Sequence, residues 1–379
     1  DYTFSNSALA MSKAFKEIRR EGIGKLLLYA CKQDALGIAM HYSMASVHGT
    51  QILSRQDVFT QNRQGWLDIL EDMGYQYRFV SSRQIEADEL NRYRVLILPY
   101  SIALGEREAS KIRSFAQRGG LVIGDVQTGL MDEHCKLSAH GVLDDFFGIE
   151  RLSADWEHFY LNNGFERNPN FPYAPQNLRY SAGQEEEHFG TTLAEAGTRV
   201  KGGVCAFVDG FMQSVPAVTV KEHGTGKGIY LNFALKDYPR HRAAAPGAAL
   251  RSLLHDLLGL NGLQKPAMLQ TRDGEPMEQG VESYYYAYGR DAHIVAVQWA
   301  LNESAETNYD GLTKAAAGGQ EEAAQDYDLV LPKEHHVYDV REKSYKGFTR
   351  RIQGRVAPGD HCIYALLPYR AERMTLTAQ

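Results

Sequence analysis

The sequence predicts a mixed α/β protein: a doubly wound parallel sheet with helices on both faces, followed by an antiparallel β-sandwich. Three observations carry this. Short apolar strands alternate with amphipathic helical stretches over the first two thirds of the chain, as right-handed strand–helix–strand crossovers require. Two of those strands, in "RVLILPY" (94–100) and "GGLVIG" (119–124), are continuously apolar, as strands buried on both faces should be. The last third changes period to short alternating strands separated by turn residues.

Residues 5–30 read as a helix introduced by Ser5-Asn6-Ser7, with Met11, Phe15 and Ile18 on one stripe and Gly22 and Gly24 loosening its end. Residues 1–28 are expected to be a linker helix, and 29–265 the α/β domain. "GIAMHY" (37–42) is its first strand. A helix follows with Trp66, Ile69, Leu70 and Met73 at helical spacing, stopped by Gly74. "YQYRFV" (75–80) and "RVLILPY" are the second and third strands. The helix over 106–117 places Glu106 and Glu108 in its first turn, where the dipole favours anions. It buries Ala109, Ile112, Phe115 and Ala116, and Gly119-Gly120 ends it before strand 121–124.

Residues 151–200 are polar and aromatic and read as a long loop. "PAVTVKEHGTGKGIYLNF" then predicts a hairpin turning at His223-Gly224-Thr225-Gly226, and 243–259 a closing helix. Over 266–379, "ESYYYAYGRDAHIVAVQWAL", "YDLVLP", "HHVYDV", "RRIQGRV" and "HCIYALLPY" are the expected sandwich strands, with a low-complexity loop at 313–325.

The chain has 379 residues, 44% hydrophobic and 23% charged, the composition of a globular protein. Its 41 Lys and Arg against 47 Asp and Glu give a net charge of −6, which argues against nucleic-acid or anionic-membrane partners. No apolar run approaches the roughly 20 residues of a membrane helix. Cys31, Cys135, Cys205 and Cys362 are dispersed and form no metal-binding pairs, so reduced thiols and a cytoplasmic location are expected. The chain opens on Asp1 and not Met, which suggests a piece of a longer protein.

The carboxyl ends of parallel strands are where α/β proteins place ligands. The bend Gly124-Asp125-Val126 carries no Ser or Cys, so it supplies no nucleophile. His41 and His48 follow the first strand, and "MDEHC" places Asp132, Glu133, His134 and Cys135 beyond the fourth. Together they could face one rim and hold a Zn²⁺-like ion, although consecutive side chains diverge. Ser43 and Ser46 near His48 could also be helix caps. "EHGTGKG" lacks the Ser or Thr and the helix of a phosphate loop. Trp156 and Tyr160, with His158, Phe171 and Tyr173, could stack on a sugar or simply fold their loop down. Asn302-Glu303-Ser304 matters as a sequon only in a secreted chain.

Several stretches resemble one family. "EGIGKLLLYA", "VLILPYSIALGEREASKIRSFAQRGGLVIGD", "GLMDEH", "LDDFFGI" and "GKGIYLNFALKDYP" occur in this order over residues 1–265. They are similar to the post-catalytic part of β-galactosidase-like enzymes of glycoside hydrolase family forty-two. The ending "HVYDVREKSYKGFTRRIQGRVAPGDHCIYALLPY" resembles the closing β domain of related proteins. The resemblance implies a flavodoxin-like, class I glutamine amidotransferase-like α/β domain that mediates trimerisation. It also implies, as partners, an N-terminal catalytic TIM barrel and further copies of the chain. With Asp125-Val126 where the amidotransferase cysteine would stand, that chemistry is expected to be absent, and no residue here matches the barrel's catalytic glutamates. The expectation is a non-catalytic oligomerisation and accessory region, with no cofactor and no metal. Two alternatives stand beside it: an independent hydrolase or metal enzyme using His41, His48, Asp125 and the Asp132–His134 cluster, or a carbohydrate-binding module.

Overall fold

The computed structural model describes residues 5–33, 36–138, 140–151, 173–182, 185–195, 198–205, 217–278, 280–289, 291–299, 324–357 and 359–371. The chain divides into two compact units, Ala35–Gln264 and Asp1–Asp34 with Lys265–Gln379.

The first unit is built on a sheet of β1 (Ile38–His41), β2 (Arg78–Val80), β3 (Val95–Leu98), β4 (Leu121–Gly124), β5 (Val204–Cys205), β6 (Val218–His223) and β7 (Gly226–Leu231). Its order is β5-β6-β7-β4-β3-β1-β2. The run from β7 to β2 is parallel, and β5 and β6 extend it antiparallel. The four predicted parallel strands are therefore present: β1 and β3 are trimmed to their buried centres, β4 keeps its expected bounds, and β2 is the last three residues of its run, with Arg78 and Phe79 exposed.

Alternation along these strands splits the core in two. Ile38, Met40, Val95, Ile97, Leu121 and Ile123 face helices α2 (Gln56–Asp72) and α4 (Ala245–Gly259), packing on Trp66, Ile69, Leu253 and Leu257. Ala39, Leu96, Leu98 and Val122 face α3 (Glu106–Gln117), through Ala109, Ile112 and Phe115. Each face is thus sealed, so the strands read as continuous apolar runs. Helix α1 (Met44–Ile52) follows β1 directly, capped by the Ser43 hydroxyl, which accepts from Ser46 N at 3.1 Å. Ser43 and Ser46 both also bond the Ala103 carbonyl, so they are structural.

The glycine-lysine stretch is the β6–β7 hairpin, with Gly224 at φ +61° in its turn. The described part of 151–200 departs from the expected loop. Tyr173–Ala182 and Glu185–Glu195 pair as a long antiparallel hairpin, and Ile149–Arg151 pairs with Thr198–Val200. The run Glu185-Glu186-Glu187 hides the apolar alternation that would have signalled a strand.

Buried charge is consistently paired. Asp72 accepts from Tyr238 Oη and from both Arg242 Nε (3.1 Å) and Nη2, while Arg251 donates to Tyr238 Oη at 3.0 Å. Burial pushes the Tyr238 hydroxyl well above its ordinary range, with the Asp72 charge adding to the shift.

In the second unit, Asn6–Arg19 is a helix capped by Ser5 Oγ, which accepts from Ala8 N at 3.2 Å. The expected single helix over 5–30 ends at Arg19: Gly22 adopts φ +85°, and Ile23–Ala30 continue as short helical turns. Lys32–Gln33, placed by the sequence in the α/β part, pairs antiparallel with Tyr286 and Ala287. The remaining strands are β8 (Met268–Gln270), β9 (Val281–Tyr288), β10 (Ala292–Trp299), β11 (Gln325–Asp339), β12 (Ser344–Val356) and β13 (His361–Leu367), all in one antiparallel sheet. The two strands expected at 327–332 and 335–340 are one strand, β11. A register shift between Val330 and His335 bends it around Pro332, so its first part pairs β8 and its last part β13. Asp328, fully buried, accepts from Arg351 Nε at 2.7 Å and from Arg272, tying β11 to β12.

Candidate functional site

His41 ends β1, Ser82 follows β2, Tyr100-Ser101 follow β3, and Asp125 follows β4, so all lie along the carboxyl rim of the parallel sheet. Asp125 has no exposed surface. Its Oδ2 accepts from Asn62 Nδ2 at 2.7 Å and Trp66 Nε1 at 2.8 Å, and its Oδ1 from Tyr100 N at 2.6 Å. Asn62 Oδ1 in turn accepts from Leu235 N at 2.6 Å. One carboxylate therefore fastens β4, the turn after β3, helix α2 and the loop after β7. Tyr100 and Gln127 hold positive φ (+46° and +63°), a strained backbone that persists only where neighbours over-determine it. The bonds from Tyr100 N to Asp125, and from Thr128 N and Oγ1 to the Asp125 carbonyl (3.2 and 2.7 Å), do so.

The second node is His41. Its Nδ1 is 3.0 Å from Ser101 Oγ, and its Nε2 is 3.2 Å from Glu108 Oε1 and 3.5 Å from Ser82 Oγ. Burial pushes the Glu108 carboxyl up, but the His41 contact, the Ser82 hydroxyl and the Gly105 N–H outweigh it and hold it below its ordinary range. Ser101, His41 and Glu108 have the spacing of a nucleophile relay. Their exposures are 2%, 3% and 2%, so none presents a surface a substrate could reach. The node ties three strand ends to the start of α3.

The other sequence candidates do not join these nodes. His48, Glu133 and His134 are exposed, and Asp132 is half-buried. Asp132 Oδ1 accepts from His134 N and Lys136 N at 2.9 Å each, which folds the turn. Cys135 donates to the Ala45 carbonyl at 3.2 Å. Among the described residues no group of three or more His, Cys, Asp or Glu is placed to hold a metal. Trp156 and Tyr160 lie outside the described residues, as do His158 and Phe171. Sequence reasoning missed Asn62, Ser82, Ser101 and Glu108. The available signals were serines just past two strand ends and a glutamate three residues into a helix, which read as caps.

Two exposed apolar surfaces stand in contrast to this closed rim. In the α/β unit, Tyr42 and Phe79 meet edge to face with ring centroids 5.9 Å apart, and Phe79 meets Tyr77 at 5.7 Å. In the other unit, Leu9, Met11, Phe15, Ile18, Leu28 and Tyr29 of the N-terminal segment are all exposed.

The α/β unit is an open, mainly parallel sheet whose strand-end Asp125, His41 and Ser101 are buried and bonded within the protein, and the other unit is an antiparallel sheet. Residues 38–258, more than half of the chain, match the family described as the β-galactosidase trimerisation domain. The chain belongs to that family. It is 28% identical over 150 residues to the β-galactosidase BgaB of Geobacillus sp. (strain Y412MC61) and to that of Geobacillus kaustophilus, which covers 38% of this chain and 20% of each relative. The chain thus spans about a fifth of the curated relatives it matches. The β-galactosidase of Bacillus circulans sp. alkalophilus superimposes with a TM-score of 0.63 at 14% identity, over 96% of this chain and 46% of its own. The α-L-fucosidase isoenzyme 2 of Paenibacillus thiaminolyticus does so with 0.60 at 14%, over 97% and 53%. At such identity the likeness is one of fold. Among the described residues no helix is long and apolar enough to cross a membrane.

Proposed function

We propose that this chain is the non-catalytic oligomerisation and accessory region of a β-galactosidase-like glycoside hydrolase of family forty-two. The carrying observation is the trimerisation-domain match over 38–258, in a unit whose strand-end carboxylates are buried and engaged by protein donors. The parallel order β2-β1-β3-β4-β7, which is 2-1-3-4-5 by position among the parallel strands, supports a flavodoxin-like reading of that unit. The bend after β4 with Asp125 in place of a thiol supports an amidotransferase-like scaffold without its chemistry. On this reading the partners are two further copies of the chain and a catalytic barrel. The exposed stripe Met11, Phe15 and Ile18, with Leu28 and Tyr29, is apolar surface of the kind a barrel would cover. The free thiols of Cys31, Cys135 and Cys362 support a cytoplasmic location.

The test is turnover of nitrophenyl galactoside and of glutamine by the purified chain, alongside its mass in solution. A chain that self-associates and turns over neither substrate is expected. Retaining glycosidases need two facing carboxyl groups about 5–5.5 Å apart, whereas Asp132 is held in its turn by backbone bonds and Glu133 lies against Gly105. Turnover that His134→Ala abolishes in a folded chain would overturn the reading in favour of an independent enzyme.

A further inference from the structure

We infer that the bend of β11 at His335 is an acid-sensitive hinge, at which protonation of the imidazole releases the strand from its neighbours and loosens the antiparallel unit in mildly acidic solution. β11 changes partners here. Its first part, through Val330, pairs with β8, and its last part, from His336, pairs with β13. Along β12 the register jumps from Val330–Arg351 to His335–Thr349, so Leu331, Pro332, Lys333 and Glu334 stand opposite Arg350 alone. A bulge leaves its extra residues unpaired and concentrates the bend of the strand. His335 is the residue at which β11 rejoins β12, and it is only 5% exposed. Its Nδ1 is buried and meets no hydrogen-bond partner among the described residues. A buried charge without a partner is costly, so this ring is stable in the closed bend only while neutral.

The groups around the ring oppose a positive charge on it. The His293 ring of β10 meets it edge to face with centroids 6.3 Å apart, reached across β13, where Leu366 pairs with both His293 and Val337. Lys333 on its own strand adds a fixed positive charge, and the residue opposite on β12 is the neutral Thr349. Burial therefore holds the His335 imidazole below its ordinary value, and Lys333 and His293 add to the shift. The two other histidines of β11 and β13 have partners: His336 Nδ1 is 2.8 Å from Tyr345 Oη, and His361 Nε2 is 4.0 Å from Glu17 Oε1. An opened bend frees the His335 ring to titrate at the ordinary imidazole value of about 6.5. Below that pH the opened form takes up a proton that the closed form refuses, so acid favours opening, until the pH falls past the lowered value of the closed form. One proton limits the effect to about tenfold per pH unit. The carboxylate tie of the strand, Asp328 to Arg351, keeps its charge across this window.

The experiment follows amide hydrogen exchange by mass spectrometry in the full chain at pH 7.5 and 5.5, with rates corrected for their intrinsic pH dependence. Peptides covering residues 331–340 of the parent should lose protection by a factor approaching ten between the two conditions, while peptides over β3 in the α/β unit change less than twofold. His335→Gln, which cannot titrate, should abolish that loss. His335→Leu, which removes the polar atoms altogether, gives a second reading should glutamine disturb the packing. The control His361→Gln should respond to pH as the parent does. Equal protection of 331–340 in the parent at both pH values would overturn the hinge. So would a response that survives in both folded His335 variants, or one that disappears in His361→Gln.

Discussion

Replacing Asp125 by alanine should destabilise the α/β unit more than any other single change on its rim. The variant removes the acceptor of three buried donors: Asn62 Nδ2, Trp66 Nε1 and Tyr100 N. A hydrogen bond to a charged group contributes about 1.5–3 kcal/mol, and a buried donor left alone costs about 1–3 kcal/mol. The three bonds share one network and one small cavity, so their losses do not add in full. We expect about 4–5 kcal/mol, and at about 2–4 °C per kcal/mol for a unit of this size a fall in Tm of roughly 10–15 °C. Asp125→Asn discriminates the cause. It keeps the shape but turns an NH₂ group toward either the Asn62 and Trp66 donors or the Tyr100 N–H, so it should recover little of the loss. Calorimetry gives the magnitude, and indole fluorescence reports whether Trp66 has lost its polar partner. An alanine variant within about 1 kcal/mol of the parent, or an asparagine variant at parent stability, would refute the view that a charged acceptor holds the rim together.

Further outcomes are expected from other sites. Glu108 has a folded-state affinity for protons below its ordinary one, so its contribution is present above the ordinary carboxylate range and lost as pH falls through the depressed value; Glu108→Gln should flatten the acid limb of a stability–pH curve below about pH 5. Asp328→Ala should cost the antiparallel unit about 2 kcal/mol, under the roughly 3–5 kcal/mol of a fully buried pair because Arg351 is half in water, as read from its own thermal transition. Gly65→Ala should cost at least about 2 kcal/mol, because a Cβ there would stand 2.0 Å from the Leu235 carbonyl oxygen and force α2 off the loop after β7; a neutral effect in denaturant titration would refute that packing. Metal analysis of the purified chain should find no stoichiometric Zn²⁺, and a tightly held ion lost in His48→Ala or His134→Ala would contradict the lack, among the described residues, of any three ligands placed to share a metal.

Local periodicity is enough to place β1, β3, β4, α3 and the β6–β7 turn, because each is a short segment whose burial is dictated by its own sheet layer. Strands covered on both faces advertise themselves as unbroken apolar runs, and α3 carries its apolar stripe, its first-turn glutamates and its closing glycines within its own length. The absence of a nucleophile at the bend was equally legible, since it is a matter of which residue stands there. Pattern alone did not reveal the 173–195 hairpin, whose glutamates interrupt the alternation, or the joining of two expected strands into β11, where a bulge carries one strand past a proline. Nor could it foretell what Asp125 and His41 do. A carboxylate after a strand looks the same in sequence whether it faces water or three buried donors. Asn62, Trp66 and Tyr100 lie 63, 59 and 25 residues from Asp125 in the chain, and only the packing of α2 over the strand ends brings them to it. The same holds for His41 and Glu108, and for the aromatic edge of Tyr42 and Phe79. Sequence determined which segments must be buried; the long-range pairing of strands and helices decided which polar groups share that burial and which rings remain in water.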